Sequence, residues 1–287
     1  MKKHTYLIMA HNEFEVLKEL LLALDDDRND IYIHFDKKVK EIPEIKLNKS
    51  NLYILENRVD VRWGHVSQIE AEYALFEQAF KNNEESTRYH LISGTHFPLK
   101  SQDEIHFLFD QNPGKEILSF IYTNDYEVKM KLGRYHFFLR NYKHNNIIVQ
   151  KISHFLWLII LKIQNILNIY RIEDPKVTIK ANNWVSLTRS ALAYIIDKKK
   201  EVLQYFRWSF CGDEYFVPYL LENSQGKFEI INMPDLLFND FVDGSPRILK
   251  DEDYEFLINS NYLFARKFST EASNIVKKIF KKIKSES

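Results

Sequence analysis

Apolar and polar positions alternate along the chain in two periods, and from the amino terminus they predict strand, helix and strand. Tyr6-Leu7-Ile8-Met9-Ala10 is an unbroken apolar run that reads as a buried strand. Leu17, Leu20, Leu21 and Leu24 then recur at helical spacing behind Asn12 and Glu15, a capping-box-like pair. Ile31 to Asp36 is a second strand ending on an acid. Strand, helix and strand within about 35 residues make a βαβ unit, so a mostly parallel sheet with ligands at its carboxyl ends is expected. His11 and Asp36 both fall at such ends.

The pattern continues with a short strand at Asn51 to Leu55 and the turn Trp63-Gly64. A helix follows with the stripe Val66, Ile69, Tyr73, Phe76 and Phe80 behind the capping pair Ser67 and Glu70. Tyr89 to Gly94 is the next strand and turn, Ser101 and Glu104 box the start of a helix to about Phe109, and Glu116 to Tyr122 supplies a further strand. Lys129 to Tyr142 is rich in Lys, Arg, Tyr and Phe, which suits an exposed, adaptable face and equally a solvated loop or strand edge. Phe155 to Ile169 is the most apolar stretch. Lys162, Gln164 and Asn165 interrupt it before a spanning length of about 20 residues, so a buried or membrane-resting helix fits better than a transmembrane one. Asn183 to Leu187 and Phe228 to Ile231 read as strands, with helices from Arg189 and over Asp251 to Ser260.

The expected architecture is one α/β domain over residues 1–270 with a tail over 271–287 as a separate device. In the tail Ile275, Val276, Ile279, Phe280 and Ile283 line one helical side and Lys277, Lys278, Lys281, Lys282 and Lys284 the other. Such a basic amphipathic helix suits peripheral contact with anionic lipid, where each lysine adds about 1 kcal/mol. It equally suits a helix packed back on the domain with a solvated lysine face.

Composition narrows the chemistry. Forty basic residues balance forty acidic ones over 287 residues, so no global field recruits nucleic acid. The single cysteine, Cys211, excludes an internal disulfide framework and, with no signal-peptide pattern at the amino terminus, points to the cytoplasm. Ten histidines without paired helical spacing give no zinc pattern. Asp-x-Asp spacing occurs at Asp25 to Asp27, at a helix end, and Asp251 to Asp253, at a helix start; Asp125-Tyr126-Glu127 follows a strand and is the one credible rival metal site.

The rest of the chain is organised around Phe210-Cys211-Gly212-Asp213-Glu214-Tyr215-Phe216. Gly212 permits a tight turn, Asp213 is placed to cap the following helix, and Glu214 falls in its first turn. A carboxylate among aromatic neighbours tends toward a raised pKa, as a general base for a sugar hydroxyl requires; acids in a first turn also serve simply as caps and dipole partners.

Tyr6 to Asn12, Ile33 to Lys37, Trp63 to Ala71, Leu91 to Lys100, Trp184 to Arg189, Asp213-Glu214 and Leu263 to Phe268 together resemble the core-2/I-branching β-1,6-N-acetylglucosaminyltransferases of glycosyltransferase family 14, which includes peptide O-xylosyltransferases. The resemblance implies a GT-A fold, with a Rossmann-like, mostly parallel sheet, and inverting transfer from a UDP-sugar. Glu214 matches the family's catalytic base. Lys267 matches its phosphate-binding lysine and Arg247 the arginine, so that cations replace a metal at the leaving diphosphate. His11, Asp36, Trp63 and Gly64 match the donor pocket. Lys131 and Arg134 keep a Lys-x-x-Arg acceptor spacing, and Trp184 offers a sugar-stacking face, the alternatives being solvated surface and core. His96 stands where the family has Asp, Gly212 where it has Pro, and Phe241 where an acceptor-side Trp is expected; these departures cluster on the acceptor side. The expected enzyme needs no cofactor or metal and uses UDP-GlcNAc or UDP-xylose with a glycan or lipid-linked glycan acceptor. It would work in the bacterial cytoplasm at the inner membrane face. A non-catalytic scaffold with the same fold is the rival.

Overall fold

The computed structural model describes residues 2–82, 84–242 and 244–285; positions 286 and 287 of the expected tail lie outside them. The chain runs β1 (Lys3–Ala10), α1 (Phe14–Ala23), β2 (Asn29–Phe35), β3 (Asn51–Ile54), α2 (Ser67–Asn82), β4 (Ser86–Ser93), β5 (Phe97–Pro98), α3 (Gln102–Asp110), β6 (Lys115–Leu118), β7 (Phe120–Ile121), α4 (Asp125–Leu132) and α5 (Ile147–Ile166). It continues through β8 (Lys180–Ala181), β9 (Ser186–Thr188), α6 (Arg189–Asp197), α7 (Lys199–Phe206), α8 (Phe216–Glu222), β10 (Glu229–Asn232), β11 (Leu237–Asn239), β12 (Phe241–Val242), β13 (Ser245–Pro246), α9 (Tyr254–Ile258), β14 (Phe264–Arg266) and α10 (Ser273–Lys284).

Seven strands form the central sheet in the order β10-β6-β9-β4-β1-β2-β3. Every pairing is parallel except the two that β9 makes, so the expected α/β class with a mostly parallel sheet is the one found. β2 is buried along its whole length, as a strand covered on both faces must be. From β1 the chain steps one way to β2 and β3, then crosses back to β4 on the other side. Right-handed crossovers therefore put α1 and α2 on opposite faces and make the carboxyl ends of β1 and β4 a topological switch point. His11 leaves β1 there, and main-chain bonds from Asp36 N to Ala10 O and from Gly94 N to Met9 O, each 2.9 Å, draw the loops after β2 and β4 around it.

Local expectations fared unevenly. Ser101 and Glu104 form the capping box. Asn12 and Glu15 do not: Glu13 takes the N-cap of α1 in a left-handed conformation, and its carboxylate instead accepts from Ser269 and Thr270. The Ser67 hydroxyl accepts from the Arg62 amide rather than capping α2. Lys129 to Tyr142 is no solvated loop, since α4 occupies its start and Leu132, Arg134, His136 and Leu139 are buried. The tail is not a separate device either. Ile275, Val276, Ile279 and Ile283 of α10 are buried against α1 and α9 within the one core, which uses the apolar face that lipid contact would need and leaves the lysines outside.

Candidate active site

Glu214 is presented by a short 3-10 turn, Gly212–Glu214, entered through Cys211 in the left-handed region at φ 53°. The strained residue is therefore Cys211. Gly212 is needed for closeness instead, because a Cβ there would stand 2.7 Å from Ser209 Oγ and 2.8 Å from the Phe206 ring. Two backbone bonds pin the turn: Cys211 N donates to Gly64 O at 3.0 Å and Phe210 N to Lys131 O at 2.9 Å. Gly64 has φ 71° and a Cβ there would meet the Phe210 ring at 2.7 Å, so Trp63-Gly64 can approach the turn only as glycine.

Asp213 does not cap α8, whose N-cap is Tyr215 without a side-chain bond. It points inward, accepting from Gln68 Nε2 at 2.8 Å while its other oxygen has no partner. Burial first, and the Glu214 carboxylate second, push its pKa up to about 7. Glu72, fully buried, is raised well above the ordinary range by burial and then by Asp213, with Asn183 pulling the other way.

With Asp213 turned in, Glu214 turns out, its side chain 28% exposed, into a lattice of four charges. Lys131 lies 3.3 Å and Lys180 3.4 Å from Glu214 Oε2, and both ammonium groups lie 2.9 Å from Glu127 Oε1. Burial works to lower Lys131, but Glu214, Tyr215 and Glu127 more than reverse it and hold the ammonium charged. Burial pulls Glu127 upward, yet the two lysines bring it down to about 2. Lys131 donates its hydrogen bond to Glu214 Oε2, and among the described residues no side-chain hydrogen bond engages Oε1. Lys131, expected on the acceptor, is thus the orienting partner of Glu214, and Lys180 and Glu127 complete an arrangement that sequence reading missed. Glu127, which the sequence offers as a rival metal ligand with Asp125, has two ammonium groups at its Oε1. Among the described residues no group of three His, Cys, Asp or Glu side chains could hold a metal ion.

Across the switch point, His11 remains open to water although protein crowds it. Burial lowers its pKa against the opposing pull of Asp36, and Lys267, Lys38 and Arg266 add to the lowering. Asp36 is buried and already accepts from the Lys38 ammonium at 2.6 Å and its amide at 2.8 Å. Trp63 is 41% exposed beside Tyr142 and Phe210, with Lys143 4.2 Å above its ring. Lys143 in turn is lowered by burial and by Lys267. Trp63, with Lys143 over its ring, thus stands against Phe210 at the start of the Glu214 turn.

Three expected site residues are placed differently. Arg247 is not a free phosphate ligand: its guanidinium is held by Asp240 at 2.7 Å and by both oxygens of Asp253 at 2.8 and 2.9 Å, although its carbonyl lies beside Lys267 N. The available arginine is Arg266. Burial alone lowers it to about 10, its Nε has no partner, and among the described residues neither it nor Lys267 has a carboxylate within ion-pair distance. Arg134 is buried rather than facing an acceptor; it donates to the carbonyls of Gln164 at 3.1 Å and of Ile169 and stacks 3.7 Å from the Tyr170 ring. Trp184 is core, packed between His96 and the Arg266 guanidinium, and offers no open stacking face. Phe241 stands exposed on the β12–β13 hairpin just before Arg247. A concavity of about 690 Å³ lined by His65, Phe138, Arg140, Arg207 and Trp208 shares no residue with the Glu214 lattice.

No curated protein matches the sequence significantly. Among solved structures, the crystal structure of mouse xyloside xylosyltransferase 1 in its apo form is similar at a TM-score of 0.43 and 12% identity, over 95% of this chain and 99% of that one. The family model described as core-2/I-branching enzyme matches residues 5–237, from β1 through the Glu214 turn to the start of β11. The chain therefore belongs to the core-2/I-branching enzyme family and is a glycosyltransferase.

Proposed function

We propose that this protein transfers N-acetylglucosamine from UDP-GlcNAc, with inversion and without a metal, to a hydroxyl of a bacterial surface-glycan precursor, forming a β-1,6 branch. The observation that carries the reading is the outward Glu214 carboxylate, held by Lys131 and Lys180 through one oxygen on a turn pinned to Gly64 through Cys211 N. In the reaction Glu214 Oε1 takes the proton of the acceptor hydroxyl as that oxygen bonds to the anomeric carbon. The bond from that carbon to the diphosphate breaks on the opposite face, and the pair of electrons leaves with UDP. Lys267 and Arg266, cations without carboxylate partners among the described residues, stabilise the charge that develops there. His11, Asp36 and Trp63 line the nucleotide side. Cys211, buried and unpaired, fits work in the cytoplasm, where nucleotide sugars are made.

Thermal-shift binding of UDP, UDP-GlcNAc, UDP-xylose and UDP-glucose, each with EDTA and with manganese, tests the donor and the metal. A ligand at a hundred times its Kd stabilises the native state by about 2.7 kcal/mol, well within reach of the method. A shift with UDP and UDP-GlcNAc that survives EDTA supports the reading, one with UDP-xylose alone reassigns the donor, and a shift that requires manganese overturns metal independence. Glu214→Gln should keep the UDP shift and lose turnover by about 10²–10⁴-fold; a protein with no turnover to lose would be the scaffold.

A further inference from the structure

α5 is built inside out. The side facing the domain carries Ser153, Trp157, Leu161 and Gln164, and its polar members are satisfied there. The Gln164 amide exchanges bonds of 2.8 and 2.9 Å with the main chain of Tyr135, and Trp157 Nε1 donates to His136 Nδ1 at 3.0 Å. The opposite side carries Ile148, Ile152, Phe155, Ile159, Ile163 and Ile166 at three- and four-residue spacing, exposed by 37–68%. Helices of soluble proteins turn their apolar stripe to the core, and an exposed patch of this extent marks a docking surface. Over 20 residues the helix has the length and composition to cross a membrane. Its hydrogen bonds to the domain along one whole side instead lay it flat against a surface.

Charge identifies what that surface is. Residues 128–172 contain eight Lys and Arg and no Asp or Glu, in a chain whose total charges cancel. Lys151 and Lys162, three helical turns apart, border the same edge of the stripe, where their stems can lie along an apolar layer with the ammonium groups at its polar margin. Two copies of this face would bring like charges together, whereas an anionic bilayer meets both the stripe and its basic border.

We infer that α5 docks the protein on an anionic lipid surface, its apolar stripe sunk at the headgroup boundary. The inference deepens the glycosyltransferase reading only in what docking accomplishes. Trp157 and Tyr142 join α5 to Phe210 at the root of the Glu214 turn, so a glycan carried on lipid would reach the carboxylate from the membrane plane.

The full-length protein is floated with vesicles of phosphatidylcholine alone and of phosphatidylcholine with 30% phosphatidylglycerol, without donor or acceptor, so failure leaves the transfer reading intact. Binding to the anionic vesicles is expected. It should fall at least tenfold in Ile152→Ser/Phe155→Ser and about thirtyfold in Lys151→Ala/Lys162→Ala, at about fivefold per lysine. Lys277→Ala/Lys281→Ala on α10 should leave it unchanged. Circular dichroism melts confirm that the variants remain folded. Absence of flotation, equal binding to neutral vesicles, loss only with the α10 lysines, or a wild-type dimer that the serine variant converts to a monomer would each overturn the proposal, the last assigning the face to a second copy.

Discussion

Asp213→Asn should stabilise the protein by an amount that depends on pH. The Asp213 carboxyl is buried, one oxygen has no partner, and its pKa stands at about 7 against 3.8 for the free side chain. Because the folded value is the higher, the native state holds the proton more tightly. Wild-type stability relative to the variant therefore falls as pH rises from about 4 to about 7 and is level above that. At about 1.36 kcal/mol per unit of pKa, the charge penalty that asparagine removes is about 4 kcal/mol at pH 8 and about 2 kcal/mol at pH 5. Urea unfolding of both proteins at the two pH values reads the difference, and titrating groups other than the interacting neighbours Glu214 and Glu72 cancel in the comparison. Since the Glu214 carboxylate is the second cause of the shift, the gain should shrink in a Glu214→Gln background. A stability difference that does not change between pH 5 and pH 8, or a loss that grows with pH, would refute the assignment of a buried acid with a raised pKa beside Glu214. The variant should also test whether the enzyme trades stability for a turn that forces Glu214 outward.

Gly64→Ala should destabilise by about 2–4 kcal/mol, from about 1–2 kcal/mol of left-handed backbone strain and the remainder from pressing a methyl into the Phe210 ring; a shift of urea midpoint near zero would show that the turn can retreat. His4, His90 and His106 form a buried stack in which burial holds His4 at about 2, His106 at about 4 and His90 well below 6.5. Their contribution to stability is complete above pH 6.5 and is lost as pH falls below it, each by up to about 1.4 kcal/mol per pH unit. Asp213, Glu72 and Glu116 pull the other way but are outnumbered once His34, His65, His96 and His136, also lowered by burial, are counted, so the melting temperature should drop between pH 7 and pH 5, and a flat or rising profile would contradict the stack.

The framework was legible because its determinants are local. β1 and β2 are almost wholly buried and each keeps an apolar centre, Tyr6 to Ala10 and Ile31 to Ile33, and the Ser101–Glu104 box is closed within four residues. Asn12 failed because the caps that sequence suggests compete with bonds from far away: Glu13 is claimed by Ser269 and Thr270. The same distance hid the Glu214 lattice, since Lys180 reaches Glu127 across 53 residues and belongs to no motif. Arg247 misled because Asp240 and Asp253, which occupy its guanidinium, look like ordinary surface acids in the sequence. A signal for Arg266 was present: no acid occurs between Glu255 and Glu271, so Arg266 and Lys267 share a stretch with no local counter-ion.

The closure of α10 over α1 also sets a timetable for synthesis. α1 is complete once its residues have emerged, yet the apolar side chains that cover it arrive some 250 residues later, at Ile275 to Ile283. At roughly 5–20 residues per second, the nascent chain carries the α10-facing side of that helix uncovered for roughly 13–50 s. A chaperone that holds early apolar segments would have a long engagement at α1, and a ribosome stalled before residue 273 would release a chain in which that side is still exposed.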